Sequence, residues 1–183
     1  MISVLVLCHG NICRSPLAEV LLEAAIATDP ALSQRVRVSS AGTSNEHEGE
    51  GMHEHSAALL ARRGLRAEHR ARQLTIALAD QQDLILVADR WNLRDARSIV
   101  ASGIRRAEVR LIRDYDPAAQ GSDLDDPWGY PESAYERAAE EISAALPGIL
   151  ESLRARGAQR EQSLRQLLVR VNHQICKANW VNR

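Results

Sequence analysis

The chain has 183 residues, 45% of them hydrophobic and 26% charged, which is enough to bury the core of one ordinary globular domain and gives no sign of a second. A formal net charge of −1 offers no global basis for binding nucleic acid or a membrane, and the apolar runs are much too short to span a bilayer. Three cysteines, two of them inside one short loop, argue against a disulfide framework and fit a reducing, cytoplasmic setting.

The first predicted element is a buried parallel strand over residues 2–7, aliphatic or β-branched at every position but Ser3. It has no basic leader, so a secretory signal is not expected there. Cys8-His9-Gly10-Asn11-Ile12-Cys13-Arg14-Ser15 follows it directly, and from Pro16 the apolar residues Leu17, Val20, Leu21 and Ala24 recur at helical spacing, predicting a helix over 16–28. A loop at the carboxyl end of a parallel strand is where open α/β sheets place ligands. Its backbone N–H groups and the positive end of the helix form a nest for an oxyanion, and the planar fork of Arg14 can grip two oxygens of it. The same positive field favours the thiolate of Cys8, the reactive form of the group. Gly10 permits close approach of the backbone, Asn11 tolerates a left-handed conformation, and Ser15 can donate to the Cys8 sulfur. Cys8 and Arg14 are therefore predicted to attack and hold a tetrahedral oxyanion.

Further along, strands are predicted at 35–39, 83–87 and 108–112 and helices at 53–63, 90–101 and 133–153. Such alternation specifies a parallel sheet with helices on both faces. The run from His47 to His55 is read as a solvated loop leading into a helix, because its glycines define no ligand geometry; no metal and no cofactor are expected. Residues 114–131 form a loop rich in Gly, Pro and Asp on the sheet edge where the oxyanion nest opens. Any of its aspartates could supply a proton to a leaving group, and any could be shaping a turn. The last predicted helix carries an apolar stripe of Tyr135, Ala138, Ala139, Ile142, Leu146, Ile149, Leu150 and Leu153, with a kink or break expected at Pro147-Gly148. Residues 154–183 are a basic extension, helical or flexible, in which Leu164, Leu167, Leu168, Val171 and Ile175 make a second stripe.

The segment from Val6 to Glu19 resembles the phosphate loop of the low-molecular-weight protein tyrosine phosphatases. Four further stretches match that family in order: Ser39 to Ser44, His69-Arg70-Ala71-Arg72-Gln73, Ala88 to Leu93, and Asp126-Pro127-Trp128. The resemblance covers residues 1–153 and implies a phosphatase I-like three-layer sandwich, with a four-stranded parallel sheet of order 2-1-3-4. It implies Cys8 as nucleophile, Arg14 as phosphate clamp and Asp126 as the general acid and later base, with residues 9–15 cradling the phosphate. Ser40 and His69 match residues that buttress the loop with Asn11, and Asp89 one that contacts the loop arginine. Cys13 matches a second loop cysteine able to pair reversibly with the nucleophile. Ile12 stands where tyrosine-specific members carry Ile and a phosphoarginine-specific branch carries Thr. Trp128 or Tyr130 would wall the substrate ring, whereas Glu46 and His47 stand on the rim where an aromatic is common, and His9 replaces a smaller residue.

The implied activity is hydrolysis of phosphotyrosine in protein substrates, opposite a tyrosine kinase, by a monomer or weak dimer. Phosphoarginine hydrolysis is the neighbouring alternative. A thiol-dependent arsenate reductase shares the loop but typically carries two shuttle cysteines after the third strand; residues 88–101 have none, and Cys176 lies in the tail. A non-enzymatic phosphate-binding module would need neither Cys8 nor Asp126.

Overall fold

The computed structural model describes residues 1–181, with side chains as far as Leu168. β1 (Ile2–Cys8) lies at the centre of a parallel sheet, between β2 (Val36–Gly42) and β3 (Leu84–Val87), and β4 (Glu108–Leu111) forms the far edge, giving the order β2-β1-β3-β4. Alternation along β1 divides the core. Ile2, Val4 and Val6 face one layer with α1 (Arg14–Ala27), α2 (Glu54–Arg62) and α5 (Glu132–Val181). Leu5 and Leu7 face the other, with α3 (Ile76–Ala79) and α4 (Arg90–Ser102). The expected three-layer α/β sandwich is thus present, and among the described residues no helix is long and apolar enough to cross a membrane.

Several boundaries differ from those expected. The first helix begins at Arg14 rather than Pro16, which places Pro16 third in the helix, still among the positions whose N–H has no intrahelical acceptor. β2 extends beyond Ser39 to Gly42 because it stays in register with β1 up to the pair Cys8 and Gly42. α3 is too short for periodicity to reveal; its start is fixed by Thr75, whose hydroxyl accepts from Leu78 N at 3.1 Å.

The largest difference is α5, which passes Pro147 and Gly148 without a break and continues to Val181, so the basic extension prolongs this helix. Proline there removes one backbone bond, whereas the stripe of Tyr135, Ala138, Ala139, Ile142, Ile149 and Leu153 is buried on both sides of it. Gly148 has a packing reason: a Cβ added to it would lie 2.3 Å from the carbonyl oxygen of Tyr115, in the 3-10 turn Ile112–Tyr115 that follows β4. The side chains of Val171, Ile175 and Cys176 lie outside the described residues.

Candidate active site

Cys8 is the last residue of β1, and residues 9–13 turn directly into α1. The turn needs one residue of positive φ, which Asn11 supplies at 58°. The amide of this wholly buried Asn11 then ties the loop together. Its Nδ2 donates to Ser15 Oγ at 2.8 Å and to Ser40 Oγ at 2.9 Å, and its Oδ1 accepts from Arg72 N at 3.0 Å. His69 Nε2 donates to the Asn11 carbonyl at 2.7 Å. Burial holds the His69 imidazole below the usual histidine range, partly offset by that bond, and keeps the ring a neutral donor.

The network continues outward through residues that the sequence did not single out. Ser40 donates to the buried carboxylate of Glu19, and Arg66 reaches Glu19 and Glu23, each at 2.7 Å. Glu19 closes the matched stretch from Val6 without an assigned role, and no local motif announces Arg66, 47 positions away. At its inner end, Ser15 Oγ lies 3.1 Å from Cys8 Sγ. Ser15 can therefore donate to a thiolate at Cys8, with Asn11 holding the hydroxyl in place.

Arg14 opens α1, and its side chain is only 4% exposed. Nη1 donates to Asp89 Oδ2 at 2.7 Å and to the Leu124 carbonyl at 3.2 Å, and Nη2 donates to Asp126 Oδ2 at 2.6 Å. Asp89 also caps α4, accepting from Asn92 N at 2.7 Å. The buried Arg14 Nε has no partner among the described residues, and neither do the backbone N–H groups of residues 10–13. A buried donor without an acceptor is costly, and an oxyanion seated above Cys8 would satisfy this set.

The aspartates of the long loop separate by contact. Asp114 accepts from Gly121 N, Asp116 from Ala118 N and Asp123 from Arg90 N, all as turn or loop fasteners. Asp126 faces Arg14 with Oδ2, while its Oδ1 accepts from Trp128 N at 3.3 Å. A cavity of about 220 Å³ joins Cys8, Gly10, Ile12, Cys13, Arg14 and Asp126, and its rim carries His9, Glu46, His47 and Trp128. His9 Nε2 is 3.5 Å from Glu46 Oε2, and His47 Nδ1 is 2.9 Å from Glu50 Oε2. Tyr130 is not brought here. It lines a neighbouring cavity of about 400 Å³ with Asp125, Pro127 and Arg137, and Asp126 forms part of the wall of both.

Cys13 shares the cavity with Cys8, but its Sγ lies 3.6 Å from Tyr135 Oη, and burial pushes its thiol up to about 12. Tyr135 is fully buried and stacks on the His53 ring, with centroids 5.0 Å apart. The sequence marked Tyr135 as core, and its hydroxyl contact with the loop could not be read from the helical stripe.

A family model described as low molecular weight phosphotyrosine protein phosphatase matches residues 3–160. The chain belongs to that family. A low molecular weight protein-tyrosine-phosphatase of Streptomyces coelicolor is 40% identical over 149 residues, 80% of this chain and 90% of the relative. Among solved structures, YfkJ from Bacillus subtilis superposes with a TM-score of 0.75 at 29% identity, covering 85% of this chain and 96% of the other. The Drosophila arginine phosphatase gives a TM-score of 0.74 at 24% identity, covering 82% and 96%, a likeness of fold. Membership in this phosphatase family implies phosphoprotein substrates.

Proposed function

We propose that this protein hydrolyses phosphotyrosine in protein substrates through a cysteinyl-phosphate intermediate. The observation that carries the reading is the placement of Asp126 beside Arg14 on the wall of the cavity that holds Cys8. The Cys8 thiolate attacks phosphorus while Arg14 and the N–H groups of residues 10–13 hold the equatorial oxygens, whose charge grows in the transition state. Asp126 protonates the departing phenolate oxygen, and Ser15 stabilises the Cys8 sulfur whenever it carries charge. In the second step Asp126 takes a proton from water, the water oxygen bonds to phosphorus, and the S–P bond breaks to return the thiolate and inorganic phosphate.

Ile12 on the cavity wall and Trp128 on the rim present apolar surface to a flat ring, which supports tyrosine as the phosphorylated residue. Glu46 on the same rim favours a second reading, phosphoarginine, because its carboxylate could pair with a guanidinium. The free thiols of Cys8 and Cys13 support a cytoplasmic enzyme, and phosphotyrosine as substrate implies a tyrosine kinase acting in opposition. On this reading residues 1–153 form the catalytic domain, active as a monomer or weak dimer, with 154–183 an appendage.

Steady-state hydrolysis of phosphotyrosine, phosphoserine and phosphoarginine peptides side by side tests the proposal. Phosphotyrosine is expected to turn over fastest, and acid quench should trap phosphate on Cys8. A higher kcat/KM for phosphoarginine would select the second reading. Phosphate release by Cys8→Ser at the native rate would overturn both.

A further inference from the structure

The end of α5 has a different character from its root. At the root, Arg154 pairs with Asp29 at 2.7 Å, Arg156 with Glu108, Arg160 with Asp83, and Glu161 with Arg35. Asp83 and Glu108 lie at the amino ends of β3 and β4, so the helix is fastened across the end of the sheet opposite Cys8. Glu161 is the last acidic residue of the chain. Residues 162–183 contain Arg165, Arg170, Lys177 and Arg183 and no Asp or Glu. Leu164, Leu168, Val171 and Ile175 recur at intervals of four, three and four, and Leu167 widens the stripe. Leu164, Leu167 and Leu168 are 60%, 57% and 61% exposed, although the same helix buries its stripe completely at Tyr135 and Leu153.

We propose that residues 162–183 dock the protein on an anionic lipid surface. Charge decides the occupant. A second copy of the helix would bring the same four cations alongside these, with no acidic residue to pair with them. A lipid surface offers phosphate and carboxylate headgroups above hydrocarbon. Projected from the sequence at about 100° per residue, Arg165 falls on one flank of the apolar stripe and Arg170 and Lys177 on the other. That is the layout of a helix lying in the headgroup layer, with aliphatic residues down and cations at the level of the headgroups. Because the root crosses the sheet end remote from the cavity, docking leaves the mouth around Trp128 and Glu46 open to a substrate.

Sedimentation of the full chain with vesicles tests this. Binding is expected to phosphatidylcholine vesicles containing phosphatidylglycerol, not to pure phosphatidylcholine, and to weaken at high salt. Leu164→Glu with Leu168→Glu should abolish it at an unchanged melting temperature, since both positions are exposed. Arg165→Gln and Arg170→Gln should each lower the partition about fivefold. Equal binding to neutral vesicles would overturn the proposal, as would failure to sediment with either. So would a dimer in light scattering that Leu164→Glu dissociates, or binding to polyglutamate in preference to anionic vesicles.

Discussion

Asp126 Oδ2 lies 2.6 Å from Arg14 Nη2, so the proposed proton donor rests on the proposed phosphate clamp. Arg14 is nearly buried, whereas the Asp126 side chain is 48% exposed at the cavity wall and is otherwise held by one 3.3 Å bond from Trp128 N, so the carboxyl is the more movable partner. On the proposed mechanism, a phosphate dianion that takes the fork of Arg14 would displace the carboxyl toward the leaving oxygen. Binding and acid positioning are then one event.

Asp126→Asn should slow turnover of a phenyl phosphate by about 10²–10⁴, the range of general acid catalysis. Esters of strongly acidic phenols, which leave without a proton, should lose much less in the first step. Stopped-flow measurement of phenol release across a series of leaving groups reads this, and an equal loss along the series would assign Asp126 a structural role.

Asn11 combines a left-handed backbone with an amide that bridges Ser15, Ser40 and Arg72. Asn11→Gly keeps the conformation and loses the bonds; Asn11→Ala loses both and should be less stable than the Gly variant by about 1 kcal/mol. Both should lose kcat by a similar factor, since the Ser15 hydroxyl is no longer held. Chemical denaturation together with kcat separates the two effects.

The Cys13 thiol is pushed from 9.0 to about 12, mainly by burial. Between those values the unfolded chain has released a proton that the folded chain keeps, so stability contributed by Cys13 is present below pH 9 and falls as pH rises toward 12. Tyr135, also raised by burial, acts in the same direction. Melting temperatures taken from pH 8 upward should therefore decline, and Cys13→Ala should make the decline shallower. In the folded protein at pH 8, iodoacetamide should label Cys8 and spare Cys13, as peptide mass mapping would record.

Gly148→Ala would drive a methyl group to 2.3 Å from the Tyr115 carbonyl oxygen, a backbone atom that cannot rotate away. The helix or the 3-10 turn must shift, at a cost of about 1–3 kcal/mol. Urea unfolding should show the midpoint falling with the slope unchanged.

The strand, loop and helix around Cys8 and Arg14 were legible in the chain, because every part is contiguous and each residue type acts through its own backbone and its neighbours. So were the parallel strands and the layers of helices, since alternating and helical periods report burial locally. Tertiary structure alone decided that Asp126 rests directly on Arg14, how Glu19 and Arg66 are linked to Ser40 and Asn11, and that Tyr135 rather than solvent meets Cys13. It also moved Tyr130 to the neighbouring cavity and carried α5 through Pro147. Those outcomes depend on groups tens of residues apart sharing one buried volume, where unpaired polar atoms and lost apolar contacts outweigh local preference. Neither term leaves a periodic trace in the chain.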